Sequence, residues 1–398
     1  MKKIMMISAV MSACMLTAAT PEETLRAKLP EIFAKSAEHY KALEKAAASI
    51  KGKNVPHGYN RKLNKLDMRD PTWWTSGHFP GSLWYLYDAT GDEFFKEKAM
   101  AWTKRLEGVK TYKGNHDVGF MINCSYGNAR RVLKTDEFDE ILKTAADTLC
   151  LRYHAKLGLI RSWGKVSDKN EFLVIPDNMM NLELLEVASK LPGGKAFFDE
   201  VARSHADKSM QNHFRPDGGC YHVLNYDQRE KFLGKVQGIQ RGQGLSCITA
   251  WSRGQSWGIY GFTMMYRETK DKRYLDFARF LADYAMNHEN MPADGVPYWD
   301  YGAPGEERDT SAASCMASAL LEMATYLPKE EGAKYRAFAV KQLLSLAGPD
   351  YFSEGDEVGH FLLKHGVGHK PGASEIDTPL DYGDYYFLEA LLRFRECK

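Results

Sequence analysis

The sequence predicts an all-α fold, an (α/α)6 barrel of six helix pairs with short loop strands. Two observations carry that expectation: a tight polar turn followed by an amphipathic helix recurs along the chain, and strand patterns are scarce. In order, the turns lie in YDATGDEFFKEKAMAW (87–102), KTDEFDEILKTAADTL (134–149), LPGGKAFFDEVARSHA (191–206), RETKDKRYLDFARFLADYA (267–285) and LPKEEGAKYRAFAVKQLL (327–344). Each opens a helix with a large and then a small residue at i, i+4: Phe95 and Ala99, Ile141 and Ala145, Phe198 and Ala202, Tyr274 and Ala278, Tyr335 and Ala339. That spacing puts both residues on one helix face, the face that packs on the preceding helix. A sixth hairpin at one end completes the ring. Strand signals are confined to GGCYHVLNYD (218–227) and the stretch around Tyr298, read as short hairpins in loops.

The first 19 residues, MKKIMMISAVMSACMLTAA, have two lysines, a short apolar run and small residues before Thr20. This reads as a secretory signal peptide, with Cys14 as an alternative lipid attachment point. Residues 20–398 then form one catalytic domain in an exported, periplasmic protein. No later stretch is long and apolar enough to span a membrane. The six cysteines after the leader, Cys124, Cys150, Cys220, Cys247, Cys315 and Cys397, are scattered and form no metal-ligand spacing, so most are expected to be free, buried thiols.

Lys plus Arg number 53 and Asp plus Glu 52, for a formal charge of +1. Such a balance points away from nucleic-acid and membrane-surface partners. The chain is expected to be a monomer or weak oligomer, with no cofactor and no metal. Its 8 Trp, 21 Tyr and 19 Phe serve the core first, but exposed aromatic faces also suit sugar rings.

Segments rich in Trp, His, Asp and Gly precede several of the helices and in a toroid converge at one end of the cavity. Trp73, Trp74, Trp163, Trp251 and Trp257 can serve as stacking platforms for a pyranose, and Arg253 can clamp a carboxylate with two parallel hydrogen bonds. Asp117 and Asp177 lie on separate helix-entry segments, and paired carboxylates are the usual equipment for glycosidic acid and base chemistry. Each has a structural alternative. Asp177 before an apolar run is a common helix N-cap, Asp117 suits a turn, and Arg253 can pair with a structural carboxylate.

The ordered series HDVGFM (116–121), IPDNMMNLELL (175–185) and WSRGQSWGIYG (251–261) resembles glycoside hydrolase family 88, the unsaturated glucuronyl hydrolases. The resemblance runs from WTSGHFPGSLW to GDYYFLEALLRF, nearly the whole chain after the leader. It implies an (α/α)6 barrel that removes the 4,5-unsaturated uronic acid left by polysaccharide lyases, by hydrating its vinyl ether without a metal. It further implies Asp177 as general acid/base and Asp117 as the second essential carboxylate. Trp74, His116, Trp163, His222, Gln243, Arg253 and Trp257 are implied in substrate binding. The sister unsaturated rhamnogalacturonyl hydrolases, a non-catalytic sugar-binding toroid and an inverting glycosidase on saturated glycans are the alternatives. Two departures stand out. Gly242 occupies a place where several family members have His, with Arg241 beside it. In HGVGHKPGASE, His369, Gly372 and Ser374 replace a Ser, Ser, Lys pattern associated with sulfated substrates, with Lys370 close by.

Overall fold

The computed structural model describes residues 19–397. The expected leader, with Cys14, therefore lies outside the described residues except for Ala19. Helix α1 (Pro21–Ser49) starts in a capping box, in which Thr20 Oγ1 accepts the Glu23 N–H at 3.2 Å and Glu23 Oε2 accepts the Thr20 N–H at 2.8 Å. An antiparallel hairpin of β1 (Val55–Asn60) and β2 (Lys65–Arg69) follows.

The remaining helices alternate between two layers. They are α2 (His78–Thr90), α3 (Glu93–Lys104), α4 (Val118–Ile122), α5 (Asn128–Leu133), α6 (Asp139–Cys150), α7 (Asn178–Lys190), α8 (Ala196–Asn212), α9 (Ser252–Thr269), α10 (Lys272–Asn287), α11 (Thr310–Ala324), α12 (Lys329–Leu346) and α13 (Asp381–Glu396). A π turn over Asn123–Gly127 joins α4 to α5, making one kinked helix. Helices α2, α4/α5, α7, α9, α11 and α13 touch in that order, and α13 returns to α2. They form a closed inner ring.

Burial separates the two layers. Every residue of α11 from Thr310 to Met323 is buried, whereas α3 buries only Phe95, Ala99, Trp102 and Thr103. Helices enclosed on all sides carry no amphipathic signature, while outer helices keep one apolar stripe. The turns between layers work as their residues predict. Asp92 and Asp271 cap α3 and α10 by accepting the Phe94 and Arg273 N–H groups, and Gly91 takes the left-handed conformation that ends α2. The large/small pairs are buried in four of the five outer helices. In α6, Ile141 lies only half-buried against the core, and Leu142 takes the fully buried position.

The sixth helix pair differs from the expectation of a hairpin at one end. It is assembled from both ends of the chain, with α13 inside and α1 outside. Tyr40 of α1 donates to Asp384 Oδ2 at 3.2 Å, and Arg26 stacks over Phe394. The remaining strands are short: β3 (Tyr153–His154) pairs with β4 (Leu159–Ile160), and β5 (Leu173–Val174), β6 (Val223–Tyr226) and β7 (Val236–Gln240) form one antiparallel sheet. The 218–227 expectation is met by β6. Near Tyr298 the described residues form isolated bridges, Tyr298 with Arg308 and Asp300 with Trp251, in place of a hairpin. The β1–β2 hairpin was not legible, because Pro56 and Gly58 interrupt it and its burial does not alternate.

Among the described residues all six cysteines are free; Cys124, Cys220 and Cys315 are buried, and Cys247 is exposed. No described helix is long and apolar enough to cross a membrane. Short turns join inner to outer helices at one end, so the long loops and the inner-helix N-termini gather at the other. Both aspartates are there.

Candidate active site

Asp177 stands at the N-cap of α7, yet its side chain caps nothing. The reason is a backbone turn running into the helix. The N–H groups of Asn178, Met179 and Met180 bond to the carbonyls of Ile175, Pro176 and Asp177 at 3.2, 2.9 and 3.0 Å. Helix-entry donors satisfied in this way leave the carboxylate free. The capping reading of Asp177 is thereby corrected. Its Oδ2 is buried without a hydrogen-bond partner.

Burial raises the Asp177 pKa to about 6. His116, Arg253 and its own backbone N–H oppose the rise, and Asp117 adds to it. Desolvation therefore outweighs the charge-stabilising helix N-terminus behind the group. Asp117 occupies the equivalent place at the head of α4, again without a side-chain cap bond. Burial pushes it up to about 7, against the Asn181 side chain and the Arg152 charge. Arg152 holds this wall together by donating to the carbonyls of Lys113, Arg161, Ser162 and Gly164.

The two helix heads are locked to one another. Asn181 Oδ1 accepts the Phe120 N–H, and a Cβ on Gly119 would lie 2.5 Å from that oxygen, so only glycine permits the approach. Neither Asn181 nor Arg152 was singled out from sequence. Asn181 carried a usable signal, since it lies one helical turn after Asp177 and shares its face.

Two buried histidines flank the carboxylates. His116 Nε2 is 3.3 Å from Asp117 Oδ1, without hydrogen-bond alignment, and burial lowers its pKa to about 4. His222 Nε2 is 3.9 Å from Asp177 Oδ2, and burial lowers its pKa to about 3. Both rings are neutral at physiological pH. His222 packs on the Trp251 ring at 4.3 Å with its edge toward Trp163, and its Nδ1 accepts the Gln243 N–H at 2.7 Å. The Gln243 side chain donates to the Gly368 carbonyl at 2.8 Å, tying the middle loop to the C-terminal segment.

Among the described residues one group offers metal-ligand spacing: His57, Asp67 and Glu375 bring their ligand atoms within 4.8 Å of one another. Burial alone would lower the His57 pKa, but hydrogen bonds and charge from Asp381 and Glu375 overcome it and raise it to about 10. An imidazolium is not a ligand, and Arg69 already pairs with Asp67 at 2.7 Å. The cluster is a charge-balanced strut that holds Glu375 against the barrel.

No known family model matches the chain. It is, however, 41% identical over 338 residues to the unsaturated glucuronyl hydrolase of Formosa agariphila, covering 83% of this chain and 81% of that protein. It is 34% identical to the unsaturated chondroitin disaccharide hydrolase of Streptococcus pyogenes, covering 84% of each. The chain belongs to the unsaturated glucuronyl hydrolases, glycoside hydrolase family 88. A crystal structure of an unsaturated glucuronyl hydrolase specific for heparin superposes with a TM-score of 0.84 at 41% identity, covering 92% of this chain and 97% of that one.

In this glucuronyl hydrolase the structure places the other expected binding residues in two groups. Trp74 and Trp163 are part-exposed at the mouth, and Trp73 is exposed beside them under the Arg69 guanidinium. As stacking platforms Trp257 and Trp251 are corrected: both are buried. Trp257 packs against Phe120 and Tyr386, and neither ring offers a free face for a sugar. Arg253, read as a clamp with two parallel hydrogen bonds or as the partner of a structural carboxylate, takes the second role toward Asp309. Its guanidinium is buried and donates to Asp309 Oδ2 at 3.0 Å and to the Val367 and Gly368 carbonyls, leaving Nε without a partner. Its positive charge still reaches Asp177. Tyr382, which sequence reasoning missed, sits 4.8 Å below Trp74 with its hydroxyl buried and unpartnered. Lys370 spends its ammonium on Glu306 and Glu307.

Proposed function

We propose that the enzyme releases a 4,5-unsaturated uronate from the non-reducing end of lyase-generated oligosaccharides by adding water across the vinyl ether. Asp177 delivers a proton to C4 and accepts one from the water that adds at C5. The hemiketal so formed opens spontaneously, freeing the shortened sugar and a keto-uronate. The observation that carries this reading is the unpartnered, buried Asp177 Oδ2 on a carboxyl raised to about 6. Protonating an alkene carbon near neutral pH requires an acid tuned upward in this way, held dry and able to cycle between its two forms. Asp117, raised further by its own burial, helps keep the shared proton in the site.

Glycosaminoglycan-type disaccharides are the substrates this reading favours, since the named relatives include a chondroitin disaccharide hydrolase and a heparin-specific enzyme. A sulfate on the leaving sugar gains no free cation from Lys370, which is already paired. The test is loss of the ultraviolet absorbance of the conjugated uronate, across sulfated and unsulfated disaccharides from chondroitin, heparin and hyaluronan. Turnover retained by Asp177→Asn would refute the mechanism. The Lys2-Lys3 leader supports export to the periplasm, tested by fractionating cells that express the full chain.

A further inference from the structure

We propose that Gly242 is a positioning residue for the hydration step. Its backbone delivers the Gln243 N–H to Nδ1 of His222 and so selects the imidazole tautomer whose Nε2–H faces Asp177.

Gly242 has φ +55°, a left-handed conformation that L side chains rarely adopt. A Cβ there would lie 2.3 Å from His222 Nδ1 and 2.7 Å from both His222 Cε1 and Val223 Cγ2. The imidazole has little room to retreat. The Trp251 ring lies against it at 4.3 Å, and Trp163 closes its edge. A side chain at position 242 must therefore lengthen the contact between the Gln243 N–H and Nδ1.

That contact determines the proton's place on the ring. A backbone N–H aimed at Nδ1 from 2.7 Å requires a lone pair on Nδ1, which puts the hydrogen of the neutral ring on Nε2. The Arg241 carbonyl, 3.3 Å from Nδ1, would ask for the opposite tautomer. Neither backbone group can reverse its role, so the shorter contact, 2.7 Å against 3.3 Å, prevails.

Nε2 has no hydrogen-bond partner among the described residues, and Asp177 Oδ2, 3.9 Å away, has none either. With the hydrogen on Nε2, His222 acts as a donor toward Oδ2 and leaves the transferable proton to the other carboxyl oxygen. With the opposite tautomer, the Nε2 lone pair draws that proton to itself and holds the acid back. His116, Asp117 and Arg253 also act on Asp177, and Arg253, His213 and His369 on His222. None of them is among the nearest atoms that a Cβ on Gly242 would meet.

The kinetic consequence rests on Asp177 as the acid, but the tautomer does not. In the full enzyme labelled with 15N-histidine, two-bond nitrogen–proton correlations report the tautomer, and His222→Gln identifies the resonance. The wild type should show the Nε2–H pattern, and Gly242→Ala should admit the Nδ1–H form. Gly242→Ala should also lower kcat about tenfold with KM little changed. Against a His222→Gln background, whose amide keeps a donor without tautomers, Gly242→Ala should have no further effect. An Nδ1–H wild-type ring, or an equal loss of kcat in both backgrounds, overturns the proposal. Should Gly242→Ala fail to fold, the wild-type spectrum decides alone. Retained turnover in Asp177→Asn strikes the hydration mechanism and leaves the tautomer standing, so the two failures are distinguishable.

Discussion

Asn181 Oδ1 accepts the Phe120 backbone N–H at 2.8 Å, so one side chain of α7 fixes the head of α4. Because the same side chain also donates to the Asp177 backbone carbonyl at 3.4 Å, it ties together the two helix heads that carry the carboxyls. Asn181→Leu is expected to strand a buried N–H, lowering stability by about 1–3 kcal/mol. It should reduce kcat more than it changes KM, as thermal denaturation and steady-state kinetics will show. Unchanged kcat in a folded variant would remove Asn181 from the site's scaffold.

The pH profile follows from the same pair. The acid acts only when protonated, so activity should fall as pH rises through the titration of carboxyls raised to about 6 and 7. Because the two interact, the limbs of the profile belong to the pair rather than to either residue. The Asp117 charge raises the Asp177 pKa, so Asp117→Asn should move the alkaline limb of the residual activity to lower pH. A limb that moves to higher pH would contradict that electrostatic role.

The ring of helices was legible because its outer members announce themselves. Asp92 and Asp271 cap, Gly91 ends a helix, and pairs such as Phe198 and Ala202 repeat at one spacing. Pairing α13 with α1 was not legible, since no local pattern joins residues 20 and 390. Within the site, the residues alone placed Asp117 and Asp177 at helix starts without choosing between cap and acid, and only the family resemblance made Asp177 the acid. That choice depends on whether a backbone turn already satisfies the first N–H groups of α7. The burial of Trp257 and Arg253 was not legible for a related reason. Helix α9 is enclosed from Ser252 to Met265, so no periodicity shows which of its faces meets the cavity.

The tryptophans should therefore separate by assay. Trp163→Ala removes a part-exposed ring at the mouth and is expected to raise KM several-fold while the melting temperature holds. Trp257→Ala opens a hole between Phe120 and Tyr386 and should lower stability by about 3–5 kcal/mol. A reversed pattern, with binding lost at Trp257 and stability lost at Trp163, would place the sugar deeper in the barrel than the buried rings allow.

A carboxyl near 3.9 in the unfolded chain and near 6 in the fold binds its proton more tightly when folded. Its favourable contribution is complete below the unfolded value and is lost as pH rises through the folded one. About two pKa units correspond to about 3 kcal/mol of strain carried by the wild type at pH 8 and absent near pH 3.5. Asp177→Asn cannot ionise. It should thus be more stable than the wild type at pH 8, by less than that figure, because its new amide hydrogens meet an oxygen site that has no partner. The advantage should shrink steadily as pH falls and vanish near pH 4, even though the variant has lost its turnover. Melting curves of both proteins across this range give the answer. A difference that does not depend on pH, or one that grows toward acid, would mean that Asp177 is not strained by burial and is not tuned to deliver a proton.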